Sequence, residues 1–200
     1  MSSILEPDLN YLKLFHGFDK WSKIIKKINI KTKKLDEIDF QRKVDFLKID
    51  VQGQEYEVIK NGNNTIKNSL VIQLETSPIP LYKKEKTFSH ISLELEKLGF
   101  QLHCFNKINT RCFKPMTLQN DLYSGLNHLF QLDCVFIRKL EFLEKLELDQ
   151  LKKLSLILFY SFNSYDLVDY IITKISELEN SDILTRYREL IKNTKLVKRY

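Results

Sequence analysis

Residues 44 to 55, Val-Asp-Phe-Leu-Lys-Ile-Asp-Val-Gln-Gly-Gln-Glu, constrain this chain more than any other stretch. An apolar run carrying Lys48 and Asp50 meets Gly53, and a helix-compatible segment opens at Glu55. The pattern predicts a buried strand, a tight turn and the start of a helix, which together make one half of a βαβ unit. In open α/β sheets, ligands bind in the crevice beyond the carboxyl ends of the strands. Asp50, Gln52, Gly53 and Glu55 all fall at such an end. Side chains alternate across a strand, so Val44, Phe46, Lys48 and Asp50 share one face while Leu47, Ile49 and Val51 share the other. A lysine and an aspartate inside a buried strand must pair or face a polar cleft, because unpaired buried charge is costly.

The neighbouring segments extend this alternation. Ile28 and Ile30 alternate with polar residues as a strand does, and a turn is expected at 35–38. The helix opened at Glu55 should run to Asn61, with Gly62 stopping it in a left-handed conformation. A second buried strand is expected at 70–76, parallel to the first because a helix joins them. Pro78 and Pro80 then put Leu81 and Tyr82 in a loop. Phe88, Ile91, Leu95 and Leu98 fall on one helical face, and Gly99 sits where a C-cap belongs. A strand at 100–105, a loop-rich excursion at 106–127 and an antiparallel strand at 132–138 complete an α/β layer. From Leu140 the period becomes helical, through Leu143, Leu146, Leu151, Leu154 and Leu158. Two further amphipathic stretches follow, so about three helices are expected. The division predicted is 1–140 and 141–200. The aromatic group Phe159, Tyr160, Phe162 and Tyr165 reads as core rather than as a ligand box.

Composition narrows the function classes. The formal charge is +6, with lysines clustered at 23–34 and 83–86 and a basic end, Lys198-Arg199-Tyr200. Without a nucleic-acid fold signature, these clusters read as solvated faces. Five scattered glycines cannot build a glycine-rich phosphate loop. Cys104, Cys112 and Cys134 form no Cys-x-x-Cys pair, which argues against a disulfide framework and a zinc site, and no metal is expected. Cys134 reads as a small buried hydrophobe. No targeting segment is visible, and the apolar run 154–162 is far below the ~20 residues a bilayer span needs. A cytoplasmic protein with no membrane partner is the expectation.

Residues 47–55, Leu-Lys-Ile-Asp-Val-Gln-Gly-Gln-Glu, resemble the signature block of FkbM-type methyltransferases. Other pieces agree in order: the start Ser2-Ser3-Ile4-Leu5-Glu6-Pro7, then Thr32-Lys33-Lys34-Leu35-Asp36. Gln73-Leu74-Glu75, Pro80-Leu81-Tyr82, Leu98-Gly99-Phe100 and the closing run 133–138 follow. The resemblance covers about residues 1–140. It implies an α/β, partial Rossmann-like methyltransferase sheet with a C-terminal helical extension. It also implies S-adenosylmethionine as cofactor and O-methylation of a hydroxyl on a sugar or other small metabolite. Family members carry an acidic-Gly-x-x-x-Gly-type loop and a ribose-binding acidic residue ahead of this block. Neither is present, which implies an N-terminally incomplete domain that binds the cofactor poorly. A non-catalytic remnant or partner-binding module of methyltransferase origin is the rival expectation.

Within that frame, Asp50 and Glu75 should converge from neighbouring parallel strands. A carboxylate there serves as the base that takes the acceptor's proton, with Lys48 orienting it. Gln52, Gly53 and Glu55 are the expected cofactor-binding positions. Gly53 also serves the turn, and Glu55 suits a helix N-terminus. Tyr82 is the candidate for lining the acceptor pocket. A strand at 44–51 with one bare edge would invite pairing. Segment 24–31, a second copy or a second polypeptide completing the sheet should cover it.

Overall fold

Residues 2–194 are described in the computed structural model. Contacts divide the chain into two units, the first ending at Ile137 and the second starting at Arg138. The first unit holds short helices α1 (Leu9–Leu12) and α2 (Phe18–Trp21) and four strands. These are β1 (Phe46–Ile49), β2 (Val71–Thr76), β3 (Phe100–Thr110) and β4 (Leu129–Arg138). Helices α3 (Glu55–Lys60) and α4 (Asn63–Asn68) connect β1 to β2, and α5 (Phe88–Lys97) precedes β3. The sheet order is β1-β2-β4-β3. This is a mixed α/β fold with an open sheet.

β1 and β2 are parallel, with Lys48 opposite Gln73 and Ile49 opposite Leu74. β4 lies antiparallel to β2, with Glu75 opposite Asp133. Both relations match the expectation from sequence. Ile72 and Leu74 point to the same face of β2, and that face buries the main core. There they meet Ile49 from β1, Ile59 and Ile66 from the crossover, Ile91 and Leu95 from α5, and Phe136 from β4. A second cluster joins Leu12, Phe15 and Phe18 to Leu81, Tyr82 and Phe130. It draws the chain's beginning and the loop after β2 together. Cys134 is fully buried beside the core, and burial pushes its thiol up to about 12.

Several details depart from the sequence reading. β1 is an edge strand, shorter than residues 44–51, so Lys48 and Asp50 are exposed rather than buried. Ile28 and Ile30 form no strand. Residues 23–34 run as exposed, irregular chain that does not cover β1. Gly62 has an ordinary negative φ of −126 and caps the start of α4. The site excludes larger residues for a different reason: an added Cβ would lie 2.6 Å from the Leu35 side chain and 2.8 Å from the Val58 carbonyl oxygen. β3 extends five residues past its expected end, taking in part of the predicted loop. Gly99, by contrast, holds the left-handed φ of +86 expected after α5.

The second unit is helical. A 3₁₀ segment (Leu140–Lys145) leads to α6 (Leu148–Phe162), α7 (Tyr165–Glu179) and α8 (Ile183–Thr194). Leu151, Leu154 and Leu158 are buried on α6, and Val168, Ile171, Ile172 and Ile175 on α7, at helical spacing. Asn163 and Asn180 end these helices in the left-handed conformation. The Phe159 ring packs edge-on against Tyr165 and Tyr187, whereas Tyr160, expected in the core, is 77% exposed. Lys198, Arg199 and Tyr200 lie outside the described residues. Among the described residues, no helix is long and apolar enough to cross a membrane.

Candidate active site

Beyond the Ile49–Leu74 pair, the next positions on β1 and β2 are Asp50 and Glu75. The parallel register therefore carries both carboxylates to one sheet end, as the sequence predicted. Gln52 joins them: its Nε2 donates to Asp50 Oδ1 at 2.8 Å and to Glu75 Oε2 at 3.0 Å. The other end of the same amide, Oε1, accepts from the Tyr82 hydroxyl at 3.1 Å. The backbone carbonyl of Gln52 accepts from Ser3 Oγ at 2.6 Å. Four segments of the first unit thus meet on one glutamine.

The turn that aims Gln52 is built from two consecutive residues at positive φ, Gln52 at 54 and Gly53 at 98. Only glycine adopts such angles at little cost. The buried Glu55 carboxylate holds this turn, accepting from Val51 N at 3.0 Å and from Gly53 N at 3.0 Å. Burial raises the Glu55 pKa, against those backbone bonds, and Asp50 adds to the rise. Glu55 thus spends its oxygens on its own loop and helix start. Gly53 also has a second constraint: a Cβ there would sit 2.8 Å from the Tyr82 ring. The close approach that the missing side chain permits is made by Tyr82.

Tyr82 is buried, and burial, with nearby carboxylates, pushes its hydroxyl up to about 12. It stays a neutral donor to Gln52. Its loop is pinned by Glu85, whose Oε2 accepts from Leu81 N at 2.6 Å and Tyr82 N at 2.9 Å. Burial outweighs these bonds and lifts Glu85 to about 7. Glu75 is likewise raised, first by burial and then by the negative charge of Asp50. Around these groups lies a recess of about 10 Å³ that Thr76, Ser77 and Gln131 also line. That is room for about one water molecule.

The structure brings Asp50, Gln52, Gly53, Glu55, Glu75 and Tyr82 together. Lys48 stands apart on exposed β1, and the group linking the two carboxylates is Gln52. Sequence reasoning missed Ser3 and Glu85. Glu85 sits among Lys83, Lys84 and Lys86 and reads as surface charge; Pro78 and Pro80 just ahead of it are the only signal of a pinned loop. Among the described residues, no group of three or more His, Cys, Asp or Glu side chains is placed to hold a metal ion.

Residues 4–102 match the family model described as the Methyltransferase FkbM domain. The match takes in β1, β2 and Asp50, Gln52, Gly53, Glu55, Glu75, Tyr82 and Glu85, while Ser3, Gln131 and the closing strand β4 lie outside it. No curated protein and no solved structure matches the chain.

Proposed function

The chain belongs to the FkbM methyltransferase family over residues 4–102, and from that premise we propose that it acts in O-methylation of a hydroxyl on a sugar or other small metabolite. The observation that carries this reading is the Gln52 bridge between Asp50 and Glu75 at the carboxyl ends of two parallel strands. S-adenosylmethionine is the cofactor the family implies, and it would supply an electrophilic methyl group. The fit is incomplete: a recess of about 10 Å³ does not accommodate it, and Tyr82 covers the open side of Gly53. The reading therefore gives these residues the acceptor side of the chemistry.

Asp50 is exposed at the strand end and takes the proton of an incoming hydroxyl. The Gln52 amide fixes one oxygen of each carboxylate and leaves the others free to accept. Glu75, raised by burial and by Asp50, is suited to share the proton so received. Gln52, rather than the exposed Lys48, orients the two carboxylates. Gln52, Gly53 and Glu55 shape the turn on which donor and acceptor would meet, and Tyr82 lines the acceptor side. A cytoplasmic location remains the setting this reading assumes.

A second reading is supported by the size of the recess. The protein is then a non-catalytic module of methyltransferase origin that keeps the turn for its structure. Equilibrium dialysis with radiolabelled S-adenosylmethionine separates the two. The enzyme reading expects weak, saturable binding that S-adenosylhomocysteine displaces. No binding at millimolar donor would leave the non-catalytic module standing.

A further inference from the structure

Residues 23–34 are exposed without exception and lie in no helix or strand. They hold six lysines and no acidic residue. Isoleucines are interleaved with the lysines: Ile25 is 96% exposed, Ile28 68% and Ile30 62%. The segment is held at both ends. Trp21 stacks on Tyr123 at 5.2 Å before it, and Leu35 packs on the main core after it. Within it, Lys27 pairs with Glu6 at 2.5 Å. Water is a poor environment for three such isoleucines within six residues, and grouped exposed apolar side chains mark interaction sites.

Charge selects a negatively charged occupant, and the isoleucines select among negatively charged ones. Protein interfaces deplete lysine at their cores. Single-stranded nucleic acid is held by stacking on aromatic rings and by arginine, to which isoleucine adds nothing. A bilayer surface uses both features, with lysines at anionic headgroups and apolar side chains at the acyl boundary. We propose that residues 23–34 dock the protein on an anionic phospholipid surface. The attachment is peripheral and independent of the methyltransferase reading.

The test is co-sedimentation of the full chain with vesicles of phosphatidylcholine alone or mixed equally with phosphatidylglycerol. Binding is expected only to the mixed vesicles, and it should weaken with salt. Each lysine near the surface is worth about fivefold in affinity. The variant K23Q/K26Q/K31Q/K33Q should therefore bind ~100-fold or more weakly. The variant I25S/I28S/I30S keeps every charge and should still lose about tenfold, through lost apolar burial. Because every substituted residue is exposed and lies in no helix or strand, both variants should keep the wild-type circular dichroism spectrum. Failure of the wild type to bind mixed vesicles overturns the proposal. So does an isoleucine variant that binds as well as wild type, or tighter binding to an RNA oligonucleotide that only the lysine variant weakens.

Discussion

Glu85 offers the sharpest test of how the loop over the site is held. Its carboxylate accepts two backbone N–H bonds from Leu81 and Tyr82, yet burial lifts its pKa from an ordinary 4.5 to about 7. In the unfolded chain this group loses its proton near 4.5, whereas in the folded protein it keeps the proton to about 7. Between those values the native state binds more protons, so stability falls as pH rises through the window and levels off above it. The separation corresponds to about 3 kcal/mol. Glu85 is only partly buried, and screening by water reduces the expected effect to about 1–3 kcal/mol. Glu85→Gln removes the titration and keeps an oxygen that can accept both N–H bonds. Urea unfolding is followed by fluorescence of Trp21, the single tryptophan, which lies in the first unit. The variant should match wild type near pH 4 and exceed it by about 1–3 kcal/mol at pH 8. A variant less stable than wild type at pH 8, or a difference that does not change with pH, would refute the reasoning.

Gly53→Ala places a Cβ 2.8 Å from the Tyr82 ring at a φ of +98. It should cost about 2–4 kcal/mol in the same assay, part of which Tyr82→Ala restores in a double-mutant cycle; strict additivity would mean the ring is not the obstacle. Leu95→Ala removes a fully buried core side chain and should cost about 2–5 kcal/mol, whereas a loss under 1 kcal/mol would show that α5 does not seal this core. Asp36 accepts from the backbone N–H groups of Asn64 and Thr65 at 3.0 and 2.9 Å, capping α4 from a distance. Asp36→Ala should cost about 0.5–2 kcal/mol and speed hydrogen exchange at those two amides; unchanged exchange would count against the cap.

The parallel pairing of β1 with β2 was legible because two apolar runs flank a helix, and that topology alone brings Asp50 to Glu75. The site's centre could be read for the same reason. Its wiring could not be. Gln52 reaches both carboxylates only because it sits at positive φ, a conformation that sequence assigns to its neighbour Gly53. Read as part of a buried strand, Lys48 and Asp50 demand a partner or a polar cleft; the edge position of β1 removes that demand by leaving both to solvent. Ile28 and Ile30 carry the period of a strand, but a strand needs a neighbour to satisfy its backbone, and the described residues supply none there. Gly62 reads as a helix stop, yet its tightest constraint is a long-range contact with Leu35, with the Val58 carbonyl oxygen next. Glu85 stayed hidden because its partners are backbone groups, which leave no trace in residue type.

Methyl transfer from tritiated S-adenosylmethionine to a panel of sugar and small-molecule hydroxyl acceptors tests the central claim most directly. Wild type should transfer label, if slowly. Asp50→Asn should lose at least about 100-fold in rate, since a general base typically contributes that much. Its circular dichroism and unfolding midpoint should stay close to wild type, because Asp50 is exposed. No transfer by the wild type, or equal rates for wild type and Asp50→Asn, would contradict the claim that the Asp50–Gln52–Glu75 bridge is where the acceptor loses its proton.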